Sequence, residues 1–308
     1  MLLVIALGGN ALQPSGRKEV EEQWRAVSSA MAPVSEVIAE GHSVVLTHGN
    51  GPQVGFLLEA FESLPMTEPR PTLDLAVAMT QGWIGFMIAH ALERELARRG
   101  VKKRAVVVPT RVIVSSDEQE WRPTKPIGRS YSKEEAEVLS KKMRWSFRED
   151  PRGGYRRVVP SPAPVKVLEV DVISVLLQGG FVPIATGGGG IPLARSNGEL
   201  KPVEAVVDKD LASSLLAAEL GADKFVILTD VTGIAINYKK PGETWLRRVS
   251  VRELRKLYEE GHFPPGSMGP KVLACIKYVE FTGKECAVGH LEDAYRVIKG
   301  EAGTSIGE

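Results

Sequence analysis

The feature that most constrains this 308-residue chain is a set of short apolar runs spaced along it: LLVIAL at 2–7, SVVLT at 43–47, FVPIAT at 181–186 and KFVILT at 224–229. Each has the length of a strand and lacks the polar alternation of a half-exposed one. Helix-period stretches follow them, over 19–40 with Pro33 as a kink, from Gly51 onward, and over 74–99, 209–220, 251–260 and 270–281. RAVVVPTRVIV reads as one further strand, ECAVG as another, and EDAYRVIKG as a closing helix. Strands apolar on both sides and separated by helices imply a mainly parallel sheet covered on both faces.

Composition narrows the function classes. The formal net charge is +1, so neither general nucleic-acid binding nor attraction to a membrane surface is expected. No apolar run reads as long enough to cross a bilayer, and MLLVIALGGN lacks a basic leader and reads as a first strand. The two cysteines, Cys275 and Cys286, read as reduced thiols, and the expected location is cytoplasmic. One segment breaks the strand–helix rhythm. Residues 118–164 are rich in charge, Trp and Pro with little apolar periodicity, and 118–157 carry eleven Lys/Arg against seven Asp/Glu. That segment is either a solvated excursion or a lid bringing positive charge over an anionic ligand.

Three strand ends share one chemistry. ALGGNAL, THGNGPQVG and ATGGGGIP all put glycine where the strand stops. Ligands of parallel sheets collect at the carboxyl ends of strands, and glycine lets main-chain N–H groups approach an anion. Neither G-x-G-x-x-G nor the P-loop spacing is present, so dinucleotide and Walker sites are excluded. Lys209 stands between Asp208 and Asp210 at a helix start, and Lys271 begins another helix. Acidic residues there are ordinary caps, but a lysine opposes the helix dipole unless a phosphate shares the site. Lys125, in KPIG, lies on the charged excursion.

Taken in order along the whole length, GGNAL, THGNGPQVG, AMTQGWIGFM, KPIG, EDPRGGYRRVVPSP, GGGGIP, VVDKDLAS, LTDV and GSMGPK resemble the carbamate kinases of the amino acid kinase superfamily. The resemblance implies a three-layer α/β/α sandwich with an open, mainly parallel eight-stranded sheet, a protruding subdomain and a homodimer. It implies an N-terminal lobe over 1–205 for the phosphoryl acceptor, with the lid at about 118–164, and a nucleotide-binding lobe over 206–308. Superfamily members acting on amino acids or nucleotides usually carry a lysine before the first glycine pair. This chain has IALGG, and the resemblance assigns that task to Lys125. The family's Lys-Pro-Ile-Gly-Pro-Phe-Tyr is here interrupted by Arg129-Ser130, which puts the local shape of the lid in question.

The reaction so implied is ATP plus carbamate to ADP plus carbamoyl phosphate, reversibly, with Mg²⁺ accompanying the nucleotide. The acceptor oxygen of carbamate is already anionic, so positioning and charge stabilisation replace a general base. His48 is therefore expected to be a hydrogen-bonded strand-end residue. Gly8, Gly9, Asn10, Gly49, Asn50 and Gly51 are assigned to carbamate and the transferring phosphoryl, with Arg152 reaching in from the lid. Lys125, Lys209 and Lys271 are the catalytic cations, and Asp210 orients lysines and is a candidate Mg²⁺ contact. Gly187, Gly188, Asp230, Tyr238 and Met268 are expected on the nucleotide side. The alternatives are a relative acting on a larger carboxylate or phosphate, and a non-catalytic nucleotide sensor. A nucleic-acid binder is the weakest reading. Gly82 and Gly85 mark the helix at 74–99 as either a dimer surface or a core helix.

Overall fold

The computed structural model describes residues 1–12, 20–63, 71–150, 153–238, 241–264, 266 and 268–308, without the side chains of 10 and 11. Its frame is an eight-stranded sheet. From edge to edge it runs Arg248–Ser250, Thr304–Gly307, Cys286–His290, Lys224–Thr229, Leu2–Leu7, Ser43–His48, Val182–Ile184 and Ala105–Val107. Six of these strands are parallel; Thr304–Gly307 pairs antiparallel with Cys286–His290 and carries Arg248–Ser250 with it.

The first strand shows why its sequence is apolar throughout. Leu3, Ile5 and Leu7 point into one core, against the helices Val20–Ala39 and Leu73–Arg98. Val4 and Ala6 point into the other, against Lys209–Glu219 and Met268–Thr282. A period of two therefore feeds two apolar layers, and no position can be polar. Pro33 sits inside Val20–Ala39, which continues past it.

RAVVVPTRVIV is two strands rather than the single one expected. Ala105–Val107 ends the large sheet, and Arg111–Val114 belongs to a second, four-stranded sheet with Ile191–Ser196, Glu199–Pro202 and Pro164–Val167. The break falls at Pro109, which has no N–H to give a ladder. EDAYRVIKG likewise yields only the short helix Ala294–Ile298, and the chain ends instead on the strand Thr304–Gly307.

The charged segment is neither irregular nor merely solvated. Lys125–Tyr131, Tyr155–Val159 and Ser146–Glu149 form a three-stranded sheet, crossed by the helix Lys133–Met143. Ser132 and Glu135 close a capping box at that helix start. The small sheet buries few side chains, so its apolar period is faint in the sequence.

The helix Leu73–Arg98 amends the expectation that no segment is long and apolar enough to span a bilayer, since by length and hydropathy this one is. Its inner face is packed in the protein core, where Ile84, Met87, Ile88 and Leu92 are buried. Gly85 lies so close to the edge strand that an added Cβ would meet Val107 at 2.6 Å, whereas Gly82 faces open space. The outer face exposes Leu75, Met79 and Phe86. The inner face is that of a core helix.

Candidate active site

Four adjacent strands end at one edge of the large sheet. Beyond their carboxyl ends lie Gly8–Gly9, Gly49–Gly51, Thr186–Gly190 and Asp230–Val231. A cavity of about 510 Å³ opens there, lined by Gly8, Gly9, Gly49, Asn50, Gly51, Gly188, Lys125, Asp208, Lys209, Asp210, Asp230, Tyr238 and Met268 among others.

Lys271 also lines it, so the three lysines singled out in separate segments meet in one place. Lys209 Nζ lies 2.5 Å from Asp210 Oδ1, and Lys271 Nζ lies 3.0 Å from Asp210 Oδ2. Burial alone would raise the Asp210 carboxyl, but the two ammonium groups overcome it and hold its pKa at about 2. The lysines part company. Burial, with Lys271 nearby, wins at Lys209 and lowers it. At Lys271 burial is outweighed by Asp210, Asp208 and Asp230, and its pKa rises. Both Asp210 oxygens are thus taken by lysines. Asp208 is divided in the same way: Oδ1 caps the helix Lys209–Glu219 by accepting from the Asp210 and Leu211 amides, and Oδ2 takes Lys125 Nζ at 2.9 Å.

The glycine loops work differently from the sequence expectation. Gly8 N–H donates to Leu228 O at 2.8 Å and Gly49 N–H to Leu7 O at 3.2 Å, so neither amide is available to a ligand. Glycine at 49 instead permits close approach, because a Cβ there would stand 3.1 Å from Gly9 N and 3.2 Å from Lys209 Cδ. Gly9 and Gly51 open helices, whose first amides have no partner within the helix. They are main-chain donors that face the cavity without a helical partner of their own.

Gly188 lines the cavity, but Gly187 does not. Both are packed against the second loop. A Cβ on Gly187 would meet His48 Nε2 at 2.5 Å, and one on Gly188 would meet Asn50 Nδ2 at 2.0 Å. Thr186, at φ +46°, is a buried β-branched residue in left-handed backbone, a strain typical of loops that position ligands. His48 is buried and its Nδ1 donates to Gly49 O at 3.0 Å. Burial lowers its pKa to about 4, so at neutral pH it carries no charge. That geometry is the strand-end role expected of it.

Sequence reading missed the residues that hold these loops. Asn50 Nδ2 donates to Thr80 Oγ1 at 2.9 Å. Gln81 donates to the carbonyls of Gly187 and Thr110 and accepts from Thr110 N–H. The signal was present as TQ in the middle of an apolar helix, two buried polar residues that must find partners. Asn10, as a side chain, and Arg152 lie outside the described residues.

A family model described as "Amino acid kinase family" matches residues 1–290. The chain belongs to the amino acid kinase family. Within that family, a carbamate kinase of Pyrococcus furiosus is 48% identical, over 99% of this chain and 98% of the relative. A crystal structure of a protein from Aeropyrum pernix K1 superposes with a TM-score of 0.96 at 53% identity, covering 100% of this chain and 99% of that one. Carbamate kinase from Giardia lamblia bound to AMP-PNP superposes with a TM-score of 0.93 at 39% identity, covering 99% and 98%. As a member of the amino acid kinase family at this similarity to carbamate kinases, the protein is an enzyme, a kinase.

Proposed function

We propose that this kinase transfers a phosphoryl group reversibly between ATP and carbamate, giving ADP and carbamoyl phosphate. The observation that carries the reading is the convergence of Lys125, Lys209 and Lys271, from three distant segments, on one cavity floored by Gly9, Asn50 and Gly51. The relatives named as carbamate kinases, and the Giardia enzyme's AMP-PNP complex, supply the substrate class.

In this reading carbamate and the transferring phosphoryl lie at Gly8, Gly9, Asn10 and Gly49–Gly51, and the nucleotide lies toward Asp230, Tyr238 and Met268. The lobes divide at about 205, and the lid over 118–164 delivers Lys125 and Arg152. Phosphoryl transfer spreads negative charge over the transferring oxygens, and fixed cations stabilise it. Lys209 and Lys271 are pre-set for this by Asp210, which costs no reorganisation when the phosphate arrives. No base is required, and neutral buried His48 supplies none.

The cavity's charged lining balances, Lys125, Lys209 and Lys271 against Asp208, Asp210 and Asp230. A triphosphate therefore brings its own Mg²⁺ as part of the substrate. Among the described residues no cluster of three or more metal-ligating side chains offers a resident site. Asp210, occupied on both oxygens, acts on the lysines. The exposed stripe of Leu75, Met79 and Phe86 is assigned to a homodimer; Phe86→Lys is expected to give monomers in sedimentation velocity.

The test is ATP formation from ADP and carbamoyl phosphate, with acetyl phosphate as the competing donor. Rapid ATP formation with carbamoyl phosphate alone is expected. No ATP, or equal rates with both donors, would overturn the assignment.

A further inference from the structure

We propose that Glu62 is a positioning residue, which locks the helix Gly51–Glu62 to the lid strand Lys125–Tyr131 so that Asn50–Gly51 and Lys125 reach the cavity as one rigid arm. The proposal rests on the phosphoryl-transfer reading of that cavity. Helix and strand both begin at the cavity, the helix with Gly51 and the strand with Lys125. From there they run alongside one another and touch at three levels.

Nearest the site, Val54 and Leu58 share a small apolar core with Ile127 and Val159. In the middle, the two backbones approach closely: a Cβ on Gly55 would lie 3.7 Å from Gly128 Cα. Gly128 has φ +67°, and the strand pairing slips between Ile127 and Ser130, a bulge that re-aims the residues following it. At the far end, Tyr131 Oη donates to Glu62 Oε1, and Arg129 Nε lies 3.5 Å from Glu62 Oε2. Arg129 also stacks on the Tyr131 ring at 4.1 Å and pairs with Glu135 at 3.0 Å. Burial and Glu62 together raise the Tyr131 pKa, so the phenol keeps the proton it donates.

Of Arg129-Ser130, the departure from the family's lid motif, Arg129 thereby has a role. Arg129 fills the clamp with a cation that a proline could not provide. Glu62 is the last residue of its own helix and does not line the cavity, so its effect on catalysis passes through Lys125 and Asn50.

Glu62→Gln and Tyr131→Phe test the arm. The readouts are kcat and KM for carbamoyl phosphate, ADP affinity by calorimetry, and amide hydrogen exchange. Glu62→Gln is expected to cut kcat/KM for carbamoyl phosphate about tenfold, as for a partly shielded, hydrogen-bonded charge pair, and to leave ADP affinity within about twofold. Exchange should rise together in the lid strand and in the last turns of the helix. Glu62→Asp, which keeps the charge, should recover part of the loss. Unchanged kcat/KM, equal losses for both substrates, or faster exchange in one element alone would overturn the proposal. Those results leave wild-type turnover intact, whereas a wild-type protein that makes no ATP removes the parent reading, and the positioning role with it.

Discussion

The sharpest quantitative handle is Asp210. Its carboxyl is held at about 2 against an ordinary 3.8, by Lys209 and Lys271 acting against burial. A carboxylate with a depressed folded pKa contributes stability that is fully present above its unfolded value and is lost as pH falls through the folded one. The difference is worth about 2–3 kcal/mol at neutral pH. Asp210→Asn removes this and leaves two ammonium groups, each with a side chain only 15% exposed, facing one another. Breaking a buried pair from one side typically costs about 3–5 kcal/mol. Lys209, already lowered by burial, can relieve part of that by losing its proton, so the expected loss at pH 7 is about 3 kcal/mol. Urea midpoints for both proteins, followed from pH 7 down to pH 2, check the reasoning. The gap between wild type and variant should be largest above pH 4 and narrow toward pH 2, as Asp210 itself takes up a proton. A gap that is absent at pH 7, or one that does not change with pH, refutes the charge assignment.

Three further outcomes follow from the same geometry. Lys209→Ala and Lys271→Ala should each lower kcat by about 10²–10³, as for the loss of one oxyanion donor; near-normal turnover removes that residue from the machinery. Gly188→Ala should both destabilise the fold by about 1–3 kcal/mol, as overpacking does, and reduce turnover by displacing Asn50, read by thermal melts and steady-state kinetics. The His48 imidazole should remain neutral in NMR titrations down to about pH 5, because burial holds its pKa at about 4; a midpoint near 6.5 would contradict the buried setting.

The core of this architecture is legible because parallel strands covered on both faces leave a signature that solvent-exposed ones do not. LLVIAL announces itself, since every side chain from Leu3 to Leu7 is buried. Lys209 and Lys271 could be picked out because a cation at a helix start needs a reason. The lid sheet escaped because its short strands mix charge with little core: Ile127, Tyr131, Val158 and Val159 are their buried apolar side chains. RAVVVPTRVIV misled because propensity persists across Pro109 while the ladder cannot. Asp208, Thr80, Gln81 and Glu62 could be seen as polar residues in need of partners, but which partners they take could not. Their contacts span tens of residues in sequence, Lys125 to Asp208 being 83 apart, and no local pattern encodes them.

Asp208 gives the lid an electrical consequence. One of its oxygens stays with the helix amides while the other depends on a lysine carried by the lid strand. If the lid strand swings outward in the phosphoryl-transfer reading proposed above, the lysine leaves and the mouth loses one positive charge, with Asp208 still held by the helix amides and near Lys209 and Lys271. Under that reading a phosphorylated species is held less strongly once the lid strand has moved, so departure of product and release of the flap would favour one another.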